Sequence, residues 1–380
     1  MRRIFLSFLL LFLVACPPVL TLQGDVTSQL ETLTNPYLHP DPFSRNVWDL
    51  QVVQDRVLIA SGDAWKNSGT NIQKIDVVSY SSNNFFTKEF TVDDEQIHRF
   101  IVLGAKVLIP GFDPLEDWSL GNFYTLETRC LAPVPCWSKS RTIPFGVHTY
   151  DLIDFENKLF VTIGGYDPET KSGLLESDDA GRTWKSVTAP ELLGLTFTRF
   201  FVFDKELFAV QEIRADSSRT GLAKYRNGVF SSAGLLDKNL VPDLPDTWRG
   251  RLGRINTFNN RLLYTAASLG NNVALPEAVY SAASLSSAER IALRIDERPN
   301  DLLILKNEVV LLTTQAQAGQ YTNRVYTSSD GLDFKEQFLF TSNRFARSIE
   351  RLGAAWVFGL GCLESENCAE AGALLRLAAR

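Results

Sequence analysis

The chain has 380 residues, of which 45% are hydrophobic and 22% charged, and it carries a net charge of −6. That supplies apolar material for a large core. The near balance of charge excludes both the basic footprint of a nucleic-acid-binding protein and a disordered acidic tail, so nucleic acid is not an expected partner.

The N-terminus reads as an address. Met1-Arg2-Arg3 is a positive start, and Ile4 to Ala15 is an apolar run long enough for the h-region of a secretory signal but too short to span a bilayer. No second stretch is long and uncharged enough to cross a membrane. The run ends in Leu13-Val14-Ala15-Cys16, which resembles the bacterial lipobox. The resemblance implies that Cys16 is diacylated and becomes the mature N-terminus, and two acyl chains give stable anchoring where one does not. Position 17 is Pro rather than Asp. By the same resemblance this directs the protein to the outer membrane, facing the periplasm or the exterior, with the membrane as a partner through the lipid.

Internal periodicity then fixes the expected fold. Seven segments share one pattern, a short apolar strand, a two-residue turn and a second apolar strand. They are DLQVVQDRVLIA from Asp49, RFIVLGAKVLIP from Arg99, DLIDFENKLFVT from Asp151, RFFVFDKELFAV from Arg199, RINTFNNRLLYT from Arg254, DLLILKNEVVLL from Asp301 and SIERLGAAWVFG from Ser348. Their second strands begin at Val57, Val107, Leu159, Leu207, Leu262, Val309 and Trp356, at spacings between 47 and 55 residues. Turn pairs such as Glu156-Asn157 and Asn259-Asn260 suit a two-residue hairpin. Val, Ile, Leu and Phe occupy both faces of the strands, as they must when a sheet is sandwiched between two others. A polar loop and a weaker strand pair follow each hairpin. Four strands per unit of about fifty residues make a propeller blade. The expected fold is therefore all-β, a seven-bladed β-propeller of four-stranded antiparallel blades, with ring closure removing exposed sheet edges. The last unit is short, because only Gly372 to Arg380 remains after Cys368. The stretch Leu30 to Asn46 is expected to supply its missing outer strand; the alternative is a three-stranded final blade. The expected organisation is residues 1–15 signal peptide, 16–44 lipidated tether with a possible ring-closing strand, and 45–380 propeller.

Four cysteines other than Cys16 fall in two pairs of equal spacing, Cys130 with Cys136 and Cys362 with Cys368. An even count in an exported chain reads as disulfides. Three connectivities are possible, and the repeat map favours two local bridges. Zinc is the rival reading; the chain has only His39, His98 and His148, and none stands near these cysteines. No motif implies a metal or any other cofactor.

The third repeat contains Ser177-Asp178-Asp179-Ala180-Gly181-Arg182-Thr183-Trp184, and the sixth a shortened version with Ser328, Asp330, Gly331 and Phe334. Both resemble the Asp-box, Ser/Thr-x-Asp-x-Gly-x-x-Trp, of sialidase-like (BNR repeat) propellers. The resemblance implies a structural role. Asp179 accepts backbone N–H bonds in the turn between the third and fourth strands, Gly181 allows the bend and Trp184 packs into the blade. It also implies that these turns lie opposite the usual binding face.

On that binding face the opening residues of the first strands meet at the channel mouth. Read round the ring they are Asp49, Arg99, Asp151, Arg199, Arg254, Asp301 and Ser348, with His148, Tyr150 and Arg347 beside them. Three acids and three bases, largely alternating, form either a self-satisfying ion-pair network or a site for a charged or sugar-like ligand. A sialidase would need three arginines on the substrate carboxylate and a Tyr–Glu nucleophile pair. Arg199, Arg254 and Arg347 could converge, and Tyr150 is near. However, the family's Phe/Tyr-Arg-Ile-Pro motif survives only as Arg141-Thr142-Ile143-Pro144, and that family has six blades. No nucleophile elbow, phosphate loop or His-Glu-x-x-His helix is present. The expected function is therefore non-catalytic recognition of a glycan, a peptide or an envelope protein. A glycan-processing hydrolase or lyase and a membrane-complex assembly factor are the alternatives.

Overall fold

The structure is a computed structural model and describes residues 23–33, 46–64, 73–129, 136–164, 173–215, 220–269, 275–363 and 372–378. Cys16, Cys130, Cys368 and residues 34–45 lie outside them. The protein is a seven-bladed β-propeller of four-stranded antiparallel blades. The first two strands of each blade are Val47–Val53 and Arg56–Ser61 in blade 1, Ile101–Leu103 and Lys106–Pro110 in blade 2, and His148–Phe155 and Lys158–Gly164 in blade 3. They are Phe197–Phe203 and Glu206–Gln211 in blade 4, and Arg249–Phe258 and Arg261–Ser268 in blade 5. Blades 6 and 7 begin with Glu297–Ile304 and Val309–Gln317, and with Ala346–Leu352 and Ala355–Leu360.

The apolar runs on both strand faces are explained by seven core clusters among the described residues, one at each blade junction. In the strand Arg56–Ser61, Leu58 and Ala60 face blade 2 with Ile109 and Tyr124, whereas Val57 and Ile59 face blade 7 with Val357 and Leu374. The two-residue side-chain period of a strand thus feeds two junctions at once. Burying each such side chain contributes about 1.5–3 kcal/mol. At the hairpin turns Glu156, Asn157, Asp204, Lys205, Asn259 and Asn260 all have positive φ, the geometry in which a two-residue turn matches strand twist. Lys306 and Asn307 do not adopt it; there Leu305 N donates to Glu308 O instead.

The ring is closed from the N-terminus. Leu30–Leu33 pairs antiparallel with Leu374–Leu377 as the outer strand of blade 7. The strap begins earlier than the sequence suggests. Gly24–Asp25 pairs in parallel with Phe338 and Leu339 on the edge of blade 6. Between these pairings Val26 is fully buried in the core between blades 6 and 7.

The Asp179 turn lies between the third strand, Gly173–Ser177, and the fourth, Lys185–Ser186. Asp179 Oδ1 accepts Arg182 N and Thr183 N at 3.0 and 2.8 Å, and Ser177 Oγ accepts Gly181 N at 2.8 Å. These bonds, led by Thr183, hold the Asp179 carboxyl down to about 2. The Asp330 turn repeats the pattern with Leu332 N, Asp333 N and Ser328 Oγ. Phe334 is half-buried at the junction of blades 5 and 6. Trp184 differs from expectation. It reaches across to blade 2, edge-on to Phe123, with Nε1 donating to Thr142 Oγ1 at 3.1 Å. Gly181 carries φ +85, and an added Cβ would stand 2.6 Å from Phe123, so the turn is fitted to the neighbouring blade.

Candidate functional site at the channel mouth

The first strands line the central channel, and a register shift recurs near their upper ends. In five blades it falls just before the aligned charged position, between Val47 and Asp49, Thr149 and Asp151, Phe197 and Arg199, Pro299 and Asp301, and Ala346 and Ser348. In blade 5 it lies between Gly253 and Asn256. A β-bulge re-aims side chains, so each of these six first strands carries an extra residue near the mouth. These extra residues include Trp48, Tyr150, Asn300 and Arg347.

The acids act mainly as clamps between blades. Asp49 Oδ2 accepts Phe100 N, Asp151 Oδ2 accepts Phe200 N, and Asp301 Oδ2 accepts Ile349 N, at 2.8, 2.8 and 2.9 Å. Lower in the channel Glu350 Oε2 accepts Val52 N at 3.1 Å. Each bond joins a first strand to the first strand of the next blade. Ser348 does similar work by donating from Oγ to Val47 O at 2.9 Å.

The bases do three different things. Arg99 pairs with Asp151 at 3.1 Å. Arg254 reaches from blade 5 across the channel to blade 1, donating to Asp49 Oδ1 and Trp48 O at 2.6 Å each, while its Nε lies 2.9 Å from Asp301 Oδ1. To make this bolt its backbone takes φ +47, a strained value for a residue with a Cβ, at a cost on the order of 1–3 kcal/mol. Arg199 makes no ion pair among the described residues. Its Nη1 donates to Tyr150 O and Thr198 O at 3.2 and 2.7 Å. Burial and the neighbouring Arg99 push it down to about 10, so it remains charged at neutral pH.

A cavity of about 740 Å³ occupies the channel and is bordered by Trp48, His98, Arg199, Arg251, Asn300 and Arg347 as well as by the bolt. Arg99 and Arg351 also border it, so six arginines face Asp49, Asp301 and Glu350. Burial pushes Asp301 up to about 6 and Glu350 up to about 7, which weakens the negative side further. The cavity is net positive at neutral pH. Arg347 is stacked on Trp48 and Phe345, with its guanidinium 4.3 and 4.9 Å from the ring centroids, and Nε donates to Asn46 Oδ1 at 2.9 Å.

Three expected site residues do not border the cavity. Asp151 lines a neighbouring pocket with Arg99 and Phe200. Tyr150 is buried below Arg251, whose guanidinium lies 5.6 Å from the ring centroid; burial raises the phenol above its usual range. His148 packs between Phe112 and Tyr150, with Nδ1 2.6 Å from Asp113 Oδ1. The bulge explains Tyr150, because the extra residue rotates its ring off the channel wall while leaving its carbonyl to Arg199. Conversely Trp48 and Asn300 border the cavity without having been anticipated. Their signal in the sequence is only that each directly precedes an aligned acid.

No protein-family model matches the chain, and no curated protein matches it in sequence. Solved structures match in shape. The extracellular domain of a protein described as a hybrid two component system, BT4673 of B. thetaiotaomicron, aligns with a TM-score of 0.54 at 9% identity, over 92% of this chain and 42% of that one. This chain thus spans well under half of that structure. The polysaccharide lyase Uly1 aligns at 0.47 and 8% identity over 90% of this chain and 91% of that one. An oligogalacturonate lyase in complex with manganese aligns at 0.41 and 10% over 73% and 74%. Likeness at these identities speaks to the fold alone.

Proposed function

We propose that this protein is an envelope-tethered recognition propeller, anchored by a lipid on Cys16, that binds an anionic group of a glycan, peptide or envelope protein at the channel mouth. We also assign it, on the two serine–aspartate turns, to the Asp-box propellers. One observation carries the binding reading. Arg199 is a half-buried cation that donates only to two carbonyls; the carboxylate that acts on it, Asp151, is paired with Arg99, and Asp49 and Asp301 are committed to Arg254 and to backbone N–H groups. Two guanidinium groups that share one carboxylate are under-compensated, and an incoming anion supplies the missing charge. Arg251 and Arg347 border the same space and add to the attraction. Turnover has less support. Tyr150, the nucleophile a sialidase-like reaction would use, sits outside the cavity beneath Arg251.

Isothermal titration calorimetry of the mature chain against paired acidic and neutral ligands of equal size tests the proposal. Acidic ligands should bind at least about tenfold tighter, and Arg199→Gln should abolish that preference. Equal affinity for acidic and neutral members would refute the proposal. Release of product from the acidic ligand, lost in a Tyr150→Phe variant, would favour the hydrolase instead.

A further inference from the structure

We infer that the anion is the C-terminal carboxylate of a peptide ending in an aliphatic residue, whose side chain rests on an apolar strip beneath the arginines. This deepens the reading above and rests on it.

The strip comes from four successive blades. Val102, Ile153, Val202 and Ile255 belong to the first strands of blades 2, 3, 4 and 5, and each follows the aligned charged position of its strand within three residues. All four border a second cavity of about 610 Å³. Arg99, Val102 and Ile255 border both this cavity and the one that holds Arg199, so the two adjoin. Val102 is 49% exposed, and Ile153, Val202 and Ile255 are half-buried. One exposed aliphatic side chain is ordinary, whereas four converging on one cavity from separate strands make a binding surface. The strip is short, because Asp204, Lys205 and Asn260 border the same cavity at its far end. Arg199 and Val202 share one strand, three residues or about 10 Å apart. A terminal residue can therefore give its carboxylate to the arginine and its side chain to the strip.

The facing wall decides between a peptide and a simple aliphatic acid. It mixes Val52 and Ile304 with Gln51, Glu350 and Arg351. In six blades the first strand is also the terminal strand of its sheet, so its inner edge has no ladder partner and turns backbone groups to the channel. Asp49, Asp151 and Asp301 answer some of these groups, at Phe100 N, Phe200 N and Ile349 N. An alkyl chain would cover polar groups that it cannot answer, at a cost. A peptide end brings an aliphatic side chain for one wall and amide groups for the other.

The test is calorimetric titration of the full mature chain with acetyl-Gly-Ala-Leu, acetyl-Gly-Ala-Ser, the amide of the Leu peptide, and octanoate. The Leu acid should bind at least about tenfold tighter than the Ser acid, the lower size for burying one aliphatic side chain. Val102→Asn should cut that preference to about threefold or less and leave the Ser acid within about twofold. Val202→Thr, which keeps the side-chain shape, serves as the second strip variant should Val102→Asn fail to fold. Arg199→Gln should weaken both acids alike and leave the Leu preference in place. Equal affinity for the Leu and Ser acids, or a Leu preference unmoved in the strip variants, would overturn the aliphatic-terminus inference while leaving the anion reading standing. Octanoate binding more tightly than the Leu acid would overturn the peptide and assign the site to a fatty acid. An amide that binds as tightly as the acid would overturn the anion reading itself.

Discussion

Replacing Arg254 by Leu removes the bolt and leaves Asp49 and Asp301, both nearly fully buried, with no cation between them. Breaking a buried ion pair by deleting one partner costs about 3–5 kcal/mol. The lower end applies here. Burial already pushes Asp301 up to about 6, and with Arg254 gone it moves higher and takes a proton near neutrality. Leu retains the positive φ, so no strain is returned. A loss of about 3 kcal/mol should lower the urea midpoint by about 1 M for an m-value near 3 kcal/mol/M, followed by tryptophan fluorescence. The sign of the pH dependence sharpens the test. In the variant Asp301 titrates above its unfolded value, so the native state binds more protons than the unfolded chain. The deficit should therefore shrink as pH falls from 8 to 5. An unchanged midpoint at pH 8, or a deficit that grows on acidification, would refute the account of Arg254.

Other outcomes follow from the same structure. Asp94, Asp301 and Glu350 are pushed up by burial to about 6, 6 and 7, so the stability these three contribute is lost as pH rises from about 4 through 7, while His98, pushed well below its usual range by burial, contributes the opposite slope. Glu350→Gln should therefore flatten the fall of the denaturation midpoint over that interval, and a slope identical to wild type would contradict this. Val26→Ala removes two carbons from the core between blades 6 and 7 and should cost about 2 kcal/mol, whereas deleting residues 23–33 should expose Leu374–Leu377 and drive edge-to-edge association visible by size exclusion. Mass spectrometry of a non-reduced digest should link Cys130 to Cys136 and Cys362 to Cys368; a Cys130–Cys362 peptide would reject the local pairing. Metabolic labelling with a palmitate analogue should mark the protein and fail in Cys16→Ser, and equal labelling of the two would remove the lipid anchor from the proposal.

The ring was legible because a strand buried on both faces leaves a dense apolar pattern, and seven such hairpins at nearly equal spacing leave few other arrangements. The serine–aspartate turns were legible for a similar reason, since their bonds are local and each needs a particular residue type. The site was legible only in outline. Asp49, Arg99 and Arg199 occupy equivalent repeat positions, yet one clamps a neighbouring strand, one pairs with Asp151 and one is left to face the cavity. Those differences depend on which residues the bulges bring across the ring, and a bulge is a backbone register effect with no composition of its own. Gly24–Asp25 escaped notice because a two-residue parallel pairing has no periodicity to detect. The role of Arg254 escaped because its partner Asp49 is about two hundred residues away along the chain.

Arg199 shares Asp151 with Arg99 and is proposed to take an anion as its second partner. Crystals of the mature protein soaked in selenate and measured at the selenium edge test it most directly. An anomalous peak within hydrogen-bond distance of the Arg199 guanidinium, absent from Arg199→Gln crystals, is the expected result. Arg199 turned onto Asp151 with no anion in the cavity would contradict it.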